Sequence, residues 1–373
     1  MTTIRTRLGI LFGGRSQEHE VSLLSAESVL AHLDPAKFEV TQIGIAKSGR
    51  WFSGDQVLQR LRAGQESELT PVTLLPSPDR GTLYACRPTG EGSRLEAIEQ
   101  LDVIFPLLHG TFGEDGTVQG LLEICGIPYV GAGVLASAVA MDKALFKNLM
   151  RAYGLPILDF LVLERPEIEH DAQACASRAE QIAPYPLFVK PANLGSSVGI
   201  TRATNRAELL SGLNLAARYD RRMVVERGIT AREIEVGVLG NAEVRVSLPG
   251  EILPSEAFYT YKAKYQQPSE LVIPAQLPSP VVDQIRSIAG QAYRAIDGSG
   301  MARVDFLLDK NTGQLYLSEI NTIPGFTEHS MYPKLWEASG LAYEQLIDEL
   351  VRLALERGKD RRRTLFAGGE ARE

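Results

Sequence analysis

The stretch MARVDFLLDKNTGQLYLSEINTIPG, residues 301–325, has alternating apolar and polar runs on either side of a polar turn that contains glycine. This pattern is typical of a β-hairpin. Because successive side chains of a strand point to opposite faces, Arg303 and Asp305 share one face of the first strand. Glu319 and Asn321 likewise share one face of the second strand. The stretch therefore predicts a hairpin that gathers charged and amide side chains on one surface.

A turn centred on residue 312 would place Asp305 directly opposite Glu319. Opposed side chains have Cβ atoms about 4.5–5.5 Å apart, and two carboxylates at that distance repel each other. A hard divalent cation relieves the repulsion, because carboxylate and amide oxygens suit Mg²⁺ that bridges phosphates. The hairpin thus predicts a metal site. A pair of exposed carboxylates on a solvated face is the alternative, although Arg303 and Asn321 crowd the same face.

A second motif, KPANLGSSVG at residues 190–199, begins with a lysine at the end of an apolar strand. Its glycines allow backbone N–H groups to approach phosphate oxygens, and Lys190 supplies a positive charge. The lysine precedes the glycines, so this is not the Walker pattern. The motif is therefore either a phosphate-binding loop or a flexible surface turn. Lys143, at the start of an earlier predicted helix, is either a second phosphate cation or a helix-surface lysine.

The N-terminal part of the chain alternates between strand and helix patterns, which predicts a parallel sheet covered on both faces. The segment 61–96 is rich in Pro, Gly and Ser and is expected to form loops and weak strands. The elements predicted here are strands at Leu8–Phe12, Phe38–Ile45, Val103–Leu107 and Tyr129-Val130, and helices at Ser22–Leu33 and Thr117–Cys125.

Two loops of this N-terminal part carry candidate polar groups. His109 opens the loop HGTFGEDG, residues 109–116, after an apolar strand whose carboxyl end would line a ligand crevice. Glu20 begins the helix that follows the double glycine at residues 13 and 14. Taken alone, His109 is more often a structural histidine. Glu20 taken alone is a carboxylate favoured by the helix dipole.

The rest of the chain divides into two further α/β or α+β segments, so three domains are predicted. A final helix over residues 342–356 is expected to stop at Gly358. The other predicted elements are a helix at Asp142–Tyr153 and strands at Leu187–Lys190, Met223–Glu226, Glu233–Leu239, Glu243–Ser247, Ala302–Leu308 and Leu315–Ile320.

Composition excludes several classes of protein. The 373 residues fit two or three domains, and a net charge of −7 argues against a nucleic-acid partner. No run approaches the ~20 apolar residues that span a bilayer, and no signal peptide is evident. Three cysteines without a CxxC pair suit a reducing cytoplasm. We expect neither a membrane nor a secreted location.

Seven motifs in order resemble the D-alanine–D-alanine ligases of the ATP-grasp superfamily, and the resemblance covers essentially the whole chain. It implies an N-terminal Rossmann-like domain (1–140), a central ATP-grasp lobe (141–240) and a C-terminal lobe (241–373). The motifs are GGRSQEHEVS (13–22), HGTFGEDGTVQG (109–120), MDK (141–143), VKPANLGSSVG (189–199), FYTYKAKY (258–265), GMARVDF (300–306) and LSEINTIPG (317–325).

By its motifs the resemblance assigns roles to individual residues. Adenine would meet Glu226 and the backbone near Gly228 and Ile229, and the ribose would meet Glu233. The groups implied for the ATP phosphates are Lys143, Lys190, Ser196, Ser197 and Lys264, and those for two Mg²⁺ or Mn²⁺ ions are Asp305, Glu319 and Asn321.

The resemblance also implies the amino-acid sites. Arg303 and the N–H of Gly325 would form the oxyanion site, and Glu20 would pair with the ammonium of the first D-alanine. Ser196, Tyr265 and Glu20 would form a closing triad. The remaining substrate groups are His109, Ser330 and Met331.

The implied reaction has two steps. A D-alanine carboxylate attacks the γ-phosphate of ATP to give an acyl phosphate, and the amine of a second D-alanine then displaces phosphate. The dipeptide would feed peptidoglycan synthesis in a bacterial cytoplasm, and the family suggests a homodimer. A role for a monovalent cation stays open.

The sequence leaves three alternatives to this reaction. A D-alanine–D-lactate or D-alanine–D-serine ligase is the nearest, and Tyr265 favours the dipeptide. A noncatalytic nucleotide-binding protein would not need opposed carboxylates. An ATP-grasp carboxylase would want a biotin site, and no MKM motif is present.

Overall fold

The structure is a computed structural model that describes residues 5–78, 81–195, 198–253 and 270–364. Four of the predicted site residues lie outside the described residues. They are Ser196, Ser197, Lys264 and Tyr265. The described chain forms three sheets with helices packed on them.

The N-terminal sheet has seven strands in the order β6-β5-β4-β3-β2-β1-β7. Its strands are β1 (Thr6–Gly13), β2 (Phe38–Ile45), β3 (Trp51–Ser53), β4 (Thr70–Leu74), β5 (Thr82–Thr89), β6 (Gly92–Gln100) and β7 (Val103–Leu107). Its helices are α1 (His19–His32), α2 (Val57–Arg62) and α3 (Thr117–Ile124). Tyr129 adds a single parallel bridge to Ile104.

The prediction of a parallel sheet is correct only for β1, β2 and β7. The pairs β1–β2 and β1–β7 are parallel, whereas β2 through β6 pair antiparallel. The expectation of loops and weak strands over 61–96 agrees with the structure in the presence of strands and loops, but β4, β5 and part of β6 are regular members of the sheet. Antiparallel neighbours need only a tight turn, so closely spaced strands can hide among Pro and Gly residues.

The second sheet has four antiparallel strands in the order β10-β9-β11-β8. Its strands are β8 (Phe160–Glu164), β9 (Leu187–Pro191), β10 (Thr201–Ala203) and β11 (Arg222–Arg227). The helices of this region are α4 (Val134–Met141), α5 (Lys143–Ala152), α6 (Arg165–Ala179) and α7 (Arg206–Tyr219). Helices α6 and α7 cover one face, where Val189 and Val225 are buried. Alternation therefore turns Lys190 and Glu226 to the other face.

The third sheet has six strands, in the order β15-β14-β12-β16-β17 with β13 on β12. Its strands are β12 (Ala231–Leu239), β13 (Arg245–Val246), β14 (Gly250–Leu253), β15 (Glu270–Val272), β16 (Met301–Asp309) and β17 (Leu315–Asn321). Its helices are α8 (Ser279–Ala295), α9 (Met331–Ala338) and α10 (Tyr343–Arg361). Because β12 pairs with β16, the change of sheet falls at residues 228–230, before the predicted lobe limit at 240.

Helix α10 does not stop at Gly358, as the sequence predicted, but continues to Arg361. A Cβ on Gly358 would lie 2.7 Å from Cγ of Pro128. The glycine therefore serves the close approach of α10 to the loop before Tyr129. A tertiary contact overrides the weak helix propensity of glycine.

The hairpin β16–β17 has the predicted pairing, with Asp305 opposite Glu319. The ladder shifts by one residue beside this pair, because Phe306 already pairs with Leu317. Ser318 is thus an extra residue, a β-bulge. Beyond the bulge, Ile320 again faces the core that holds Leu317.

The N-terminal and C-terminal parts share one hydrophobic core. Phe105 of β7 and Phe326 after β17 lie in it together, with ring centroids 5.5 Å apart. Arg357 of α10 donates to the carbonyls of Tyr129 and Gly131, at 3.0 and 2.5 Å, and to Oγ of Ser299 at 2.6 Å. The last helix therefore fixes the N-terminal domain against the third sheet.

Over the ranges described, no helix combines the length and apolarity needed to cross a membrane.

Replacing Arg357 with methionine should lower the free energy of unfolding by about 2–4 kcal/mol, since two carbonyls and a hydroxyl lose a charged donor. Arg363→Met is the matched control, because Arg363 and its partner Asp360 are largely exposed. Its ion pair should be worth less than about 1 kcal/mol. Chemical denaturation of both variants measures the difference, and equal midpoints would contradict the role given to Arg357.

Candidate active site

Two lysines of the second sheet region approach one carboxylate. Glu226 on β11 accepts from Nζ of Lys147 on α5 and, at 2.5 Å, from Nζ of Lys190 on β9. Lys147 and Glu226 are each 2% exposed. Lys143 lies one turn before Lys147, and its Nζ donates to the carbonyl of Leu194 at 2.7 Å. The predicted cations therefore lie together, and Lys143 holds the loop that begins after β9.

The charges of this cluster compensate each other. Burial alone would raise the pKa of the Glu226 carboxyl, but Lys147 and Lys190 outweigh it and hold that pKa at about 2. Burial would lower the pKa of Lys190, and Glu226 raises it above its ordinary value. Burial lowers the pKa of Lys143, against the attraction of Glu319. Lys190 thus stays fully charged at neutral pH.

Arg303 forms the centre of a second charged cluster, on β16. Its Nε and Nη2 donate to the two oxygens of Asp305 at 2.7 and 2.6 Å, and Nε lies 2.9 Å from Oε2 of Glu235. Asn321 donates its Nδ2 to Asp305 at 2.9 Å. Burial disfavours the charge of Arg303, but Asp305 and Glu235 hold its pKa well above the ordinary value.

Glu319 joins the two clusters. Its charge acts on the pKa values of Lys143 and Lys190 on one side and of Arg303 on the other. Glu233, the predicted ribose ligand on β12, also acts on Lys190. These charged side chains of the second and third sheets are therefore close enough to interact, and we call the region between the two charged faces the cleft. A polyanion such as a nucleotide triphosphate fits a cleft with these cations.

The donor set at the hairpin fits a hard divalent cation. Asp305 accepts three hydrogen bonds, which leaves lone-pair capacity on its carboxylate. Among the described residues, no three His, Cys, Asp or Glu side chains are placed to hold a metal. With two carboxylates and one amide, the predicted set would need further oxygens, as Mg²⁺ obtains from phosphates.

His109 is buried, and both of its ring nitrogens have protein partners. Nε2 lies 3.0 Å from Oγ of Ser25, and Nδ1 lies 3.0 Å from the carbonyl of Ile323. Ser25 also accepts from the N–H of Phe326 at 3.3 Å. His109 thus links α1 to the loop after β17, which contains Gly325.

The side chain of Glu18 points towards the cleft, and the side chain of Glu20 points away from it. Glu20 is exposed and pairs with Lys47 at 2.6 Å, a contact that lowers the pKa of Glu20. Oε2 of Glu18 lies 3.7 Å from the position a Cβ would take on Gly195, in the loop after β9. Side chains two positions apart in a helix point about 200° apart around the helix axis. Glu18, rather than Glu20, therefore lies against the loop after β9.

The loop after β17 leads into the start of α9. Ser330 precedes the helix, and its Oγ accepts from the N–H of Thr327 at 3.0 Å. A Cβ on Gly325 would lie 3.1 Å from the same Oγ. Met331 is the first residue of α9 and is buried. Helix N-termini favour carboxylates, so Ser330 and the Met331 N–H suit the predicted carboxylate site.

Sequence reasoning missed three side chains of the cleft besides Glu18. Lys147 was hidden within an ordinary helix pattern, and Glu235 within a strand. Glu114 stands inside the quoted loop HGTFGEDG, where its N–H partner Gly110 also lies. The acidic pair at 114 and 115 in that loop was the available signal.

Replacing Lys147 with methionine should leave Glu226 with one cation and raise its pKa. A carboxylate whose pKa is depressed stabilises the fold fully above its unfolded value of 4.5, and loses that stability as pH falls towards 2. Acid unfolding of the variant should therefore begin at higher pH. At pH 7 the free energy of unfolding should fall by about 3–5 kcal/mol.

The control for this variant is Lys310→Met, which removes an exposed lysine. Unfolding followed by circular dichroism between pH 2 and 7 compares the two. Identical acid midpoints would contradict the stabilising role of Lys147.

Comparison with known proteins agrees with this geometry. Family models described as D-ala D-ala ligase N-terminus and D-ala D-ala ligase C-terminus match residues 7–132 and 149–352. A Natranaerobius thermophilus protein named D-alanine--D-alanine ligase is 48% identical over 97% of this chain and 99% of its own. A Thermoanaerobacter sp. protein of the same name is 50% identical over 94% of this chain and 97% of its own.

Solved structures of ligases also match this chain over nearly its whole length. The D-alanine-D-alanine ligase of Coxiella burnetii is 38% identical, with a TM-score of 0.81 and 96% of each chain covered. The VanG D-Ala:D-Ser ligase of Enterococcus faecalis is 33% identical, with a TM-score of 0.83, covering 94% of this chain and all of that one. The predicted fold class, with an ATP-grasp fold after a Rossmann-like domain, is confirmed. The chain belongs to the D-alanine–D-alanine ligase family.

Proposed function

We propose that the chain joins two D-alanines to D-alanyl-D-alanine, with ATP as cosubstrate and with ADP and phosphate as products. The observation that carries the proposal is the position of Glu319, which lies opposite Asp305 on the hairpin and whose charge acts on Lys143, Lys190 and Arg303. Full-length relatives that carry this ligase name support the substrate. The dipeptide would serve peptidoglycan synthesis in a bacterial cytoplasm.

ATP would lie between the second and third sheets. Lys143 and Lys190 would contact its phosphates, together with Ser196, Ser197 and Lys264, which lie outside the described residues. Glu226 would act mainly by holding Lys190, because its carboxylate already accepts from two lysines. Adenine would then meet the backbone near 228–229, and Glu233 the ribose.

Asp305, Glu319 and Asn321 would hold two Mg²⁺ or Mn²⁺ ions beside the phosphates. Bound there, the ions would supply positive charge that neutralises the triphosphate. Arg303 stays on the same face, paired with Asp305, and is positioned for a growing negative charge. This division leaves the lysines for the phosphates and the arginine for the acyl group. The proposal does not depend on a monovalent cation.

The first D-alanine would place its ammonium beside Glu18, in the position that the sequence had assigned to Glu20. Its carboxylate would then approach the γ-phosphate in line. A carboxylate is a poor nucleophile towards a polyanion, so catalysis rests on positioning and on neutralised charge. Glu18 supplies the orientation, and the cations of the cleft supply the neutralisation.

The second D-alanine would bind with its carboxylate at Ser330 and the N–H of Met331. Its amine would attack the acyl phosphate, and Arg303 and the N–H of Gly325 would stabilise the oxyanion. Loss of one such donor typically costs about 2.7–4 kcal/mol of transition-state stabilisation. Tyr265 and Ser196 would close the site with Glu18.

A ligase that makes D-alanyl-D-serine or D-alanyl-D-lactate is not favoured. Relatives named D-alanine--D-alanine ligase reach 50% identity over 94% of this chain, whereas the D-Ala:D-Ser ligase of Enterococcus faecalis is 33% identical. A noncatalytic nucleotide-binding protein is not favoured either, because it would not need Glu319 opposite Asp305.

We propose a homodimer formed through the N-terminal domain. The face and edge of its sheet expose Val40, Leu95 and Ile98, and strand β6 is exposed along its whole length. Edge strands of this kind are normally covered or paired. A small-molecule enzyme of this design needs neither nucleic acid nor membrane as a partner.

Glu319→Ala should reduce ADP release from ATP and D-alanine by at least about 10³-fold, because the cleft loses the carboxylate that connects both clusters. The exposed Glu337→Ala on α9 is the control and should keep wild-type turnover. A coupled ADP assay measures both. Wild-type turnover in Glu319→Ala would remove the proposed metal site.

Glu18→Gln should raise the KM for the first D-alanine by about 10- to 100-fold, because a charged hydrogen bond to the ammonium is lost. Glu20→Gln, two residues away, should change it less than twofold, since Glu20 pairs with Lys47 at the surface. D-alanine saturation curves compare the two variants. The opposite order would restore the assignment of Glu20.

A further inference from the structure

Two carboxylates approach the backbone of one residue at the edge of the cleft. Glu114 accepts the N–H of Gly110 at 2.6 Å. On the other side, a Cβ on Gly110 would lie 2.7 Å from Oε2 of Glu18. Gly110 has φ +73°, a conformation that side-chain-bearing residues rarely adopt. A glycine at this position therefore lets Glu18 and Glu114 come together.

The surroundings of Glu114 disfavour a second negative charge. The charged groups that act on it are Glu18, after β1, and Arg303, on β16, and it also accepts the backbone N–H of Ile323. Burial, the largest effect, and the charge of Glu18 raise the pKa of Glu114 to about 8. Arg303 and the N–H groups of Gly110 and Ile323 lower this pKa, but their effect is smaller than that of burial and Glu18. Two nearby carboxylates in a partly buried site commonly share one proton.

We propose that Glu114 holds a proton beside Glu18 in the substrate-free enzyme, and that this proton leaves to solvent when the ammonium of the first D-alanine binds to Glu18. This inference rests on the proposed function. The ammonium brings one positive charge to Glu18 as Glu114 gives up one, so the charge beside these two carboxyl groups does not change, while the carboxylate of the same D-alanine lies towards the phosphates and their cations. Glu114 is then a positioning residue, because it acts on the substrate through Glu18.

This exchange has two consequences. Below pH 8, each unit of increasing pH should strengthen binding of the first D-alanine by up to tenfold, because one proton is released for each molecule bound. A first substrate without an ammonium could not displace the proton. The pair would therefore select an amino acid rather than a hydroxy acid at the first position.

The first measurement is ADP release by the wild-type enzyme with ATP, Mg²⁺ and D-alanine at pH 8.5, above the pKa of about 8 of Glu114. Absence of turnover there would overturn the proposed function itself. Turnover establishes that function and leaves the proton as a separate question.

The second measurement is calorimetric titration of D-alanine into the enzyme with a non-hydrolysable ATP analogue and Mg²⁺ at pH 7. Titrations in PIPES and in imidazole, which differ in ionisation enthalpy, give the number of protons exchanged. On binding D-alanine, the wild-type enzyme should release about one proton more than the Glu114→Gln variant. The exposed Glu27→Gln, on α1, is the matched control and should behave as wild type.

Two results would overturn the inference while the function stands. One is no proton release by the active wild-type enzyme, which needs no variant to interpret. The other is unchanged release by Glu114→Gln. In kinetic form, the KM of the wild-type enzyme for the first D-alanine should fall about tenfold between pH 6 and 7, and that of Glu114→Gln should change less than twofold.

Discussion

The register of the β16–β17 hairpin is the constraint on which the cleft depends. Near the turn, Leu308 pairs with Leu315 and Phe306 with Leu317. Continued without a shift, that ladder would place Ser318 opposite Asp305 and turn Glu319 into the core, because a one-residue slip exchanges the faces. The bulge at Ser318 prevents this, and Glu319 reaches the charged face while Leu317 and Ile320 stay buried.

The charged side chains that this pairing brings together cost free energy to bury. Replacing buried ion pairs with apolar side chains is often neutral or stabilising. Here Lys147, Lys190 and Glu226 form one compensated group, and Arg303 with Asp305 and Glu235 forms another. Each group fixes a cation in place before any substrate arrives. Preorganised charge of this kind is what phosphoryl transfer requires, so the cost is explained by function rather than by stability.

The sequence was most informative where local pattern and chemistry coincide. Alternation along residues 301–321 predicted the hairpin and the pair Asp305–Glu319, and the lysine at the end of β9 pointed to the cleft. The predicted turn centre gave the correct pair although the ladder near the turn is offset, because the bulge compensates for the offset. Periodicity alone carries no information about such a bulge.

Other features depend on contacts that are distant in sequence. Glu18 and Glu20 lie in the same short motif, and only the orientation of α1 shows which one faces the loop after β9. Lys147 and Glu114 acquire their roles through burial beside residues far along the chain. The sequence predicts a helix end at Gly358, whereas the glycine allows close contact with Pro128 inside a longer helix. These are tertiary effects that override local propensity.

The most direct test of the account is product analysis by mass spectrometry, with ADP measured in parallel, after incubation with ATP, Mg²⁺ and D-alanine, with or without D-lactate. We expect one D-alanyl-D-alanine per ADP from D-alanine alone, and the same product when D-lactate is added near neutral pH. Depsipeptide as the main product, or ADP without any ligated product, would contradict it.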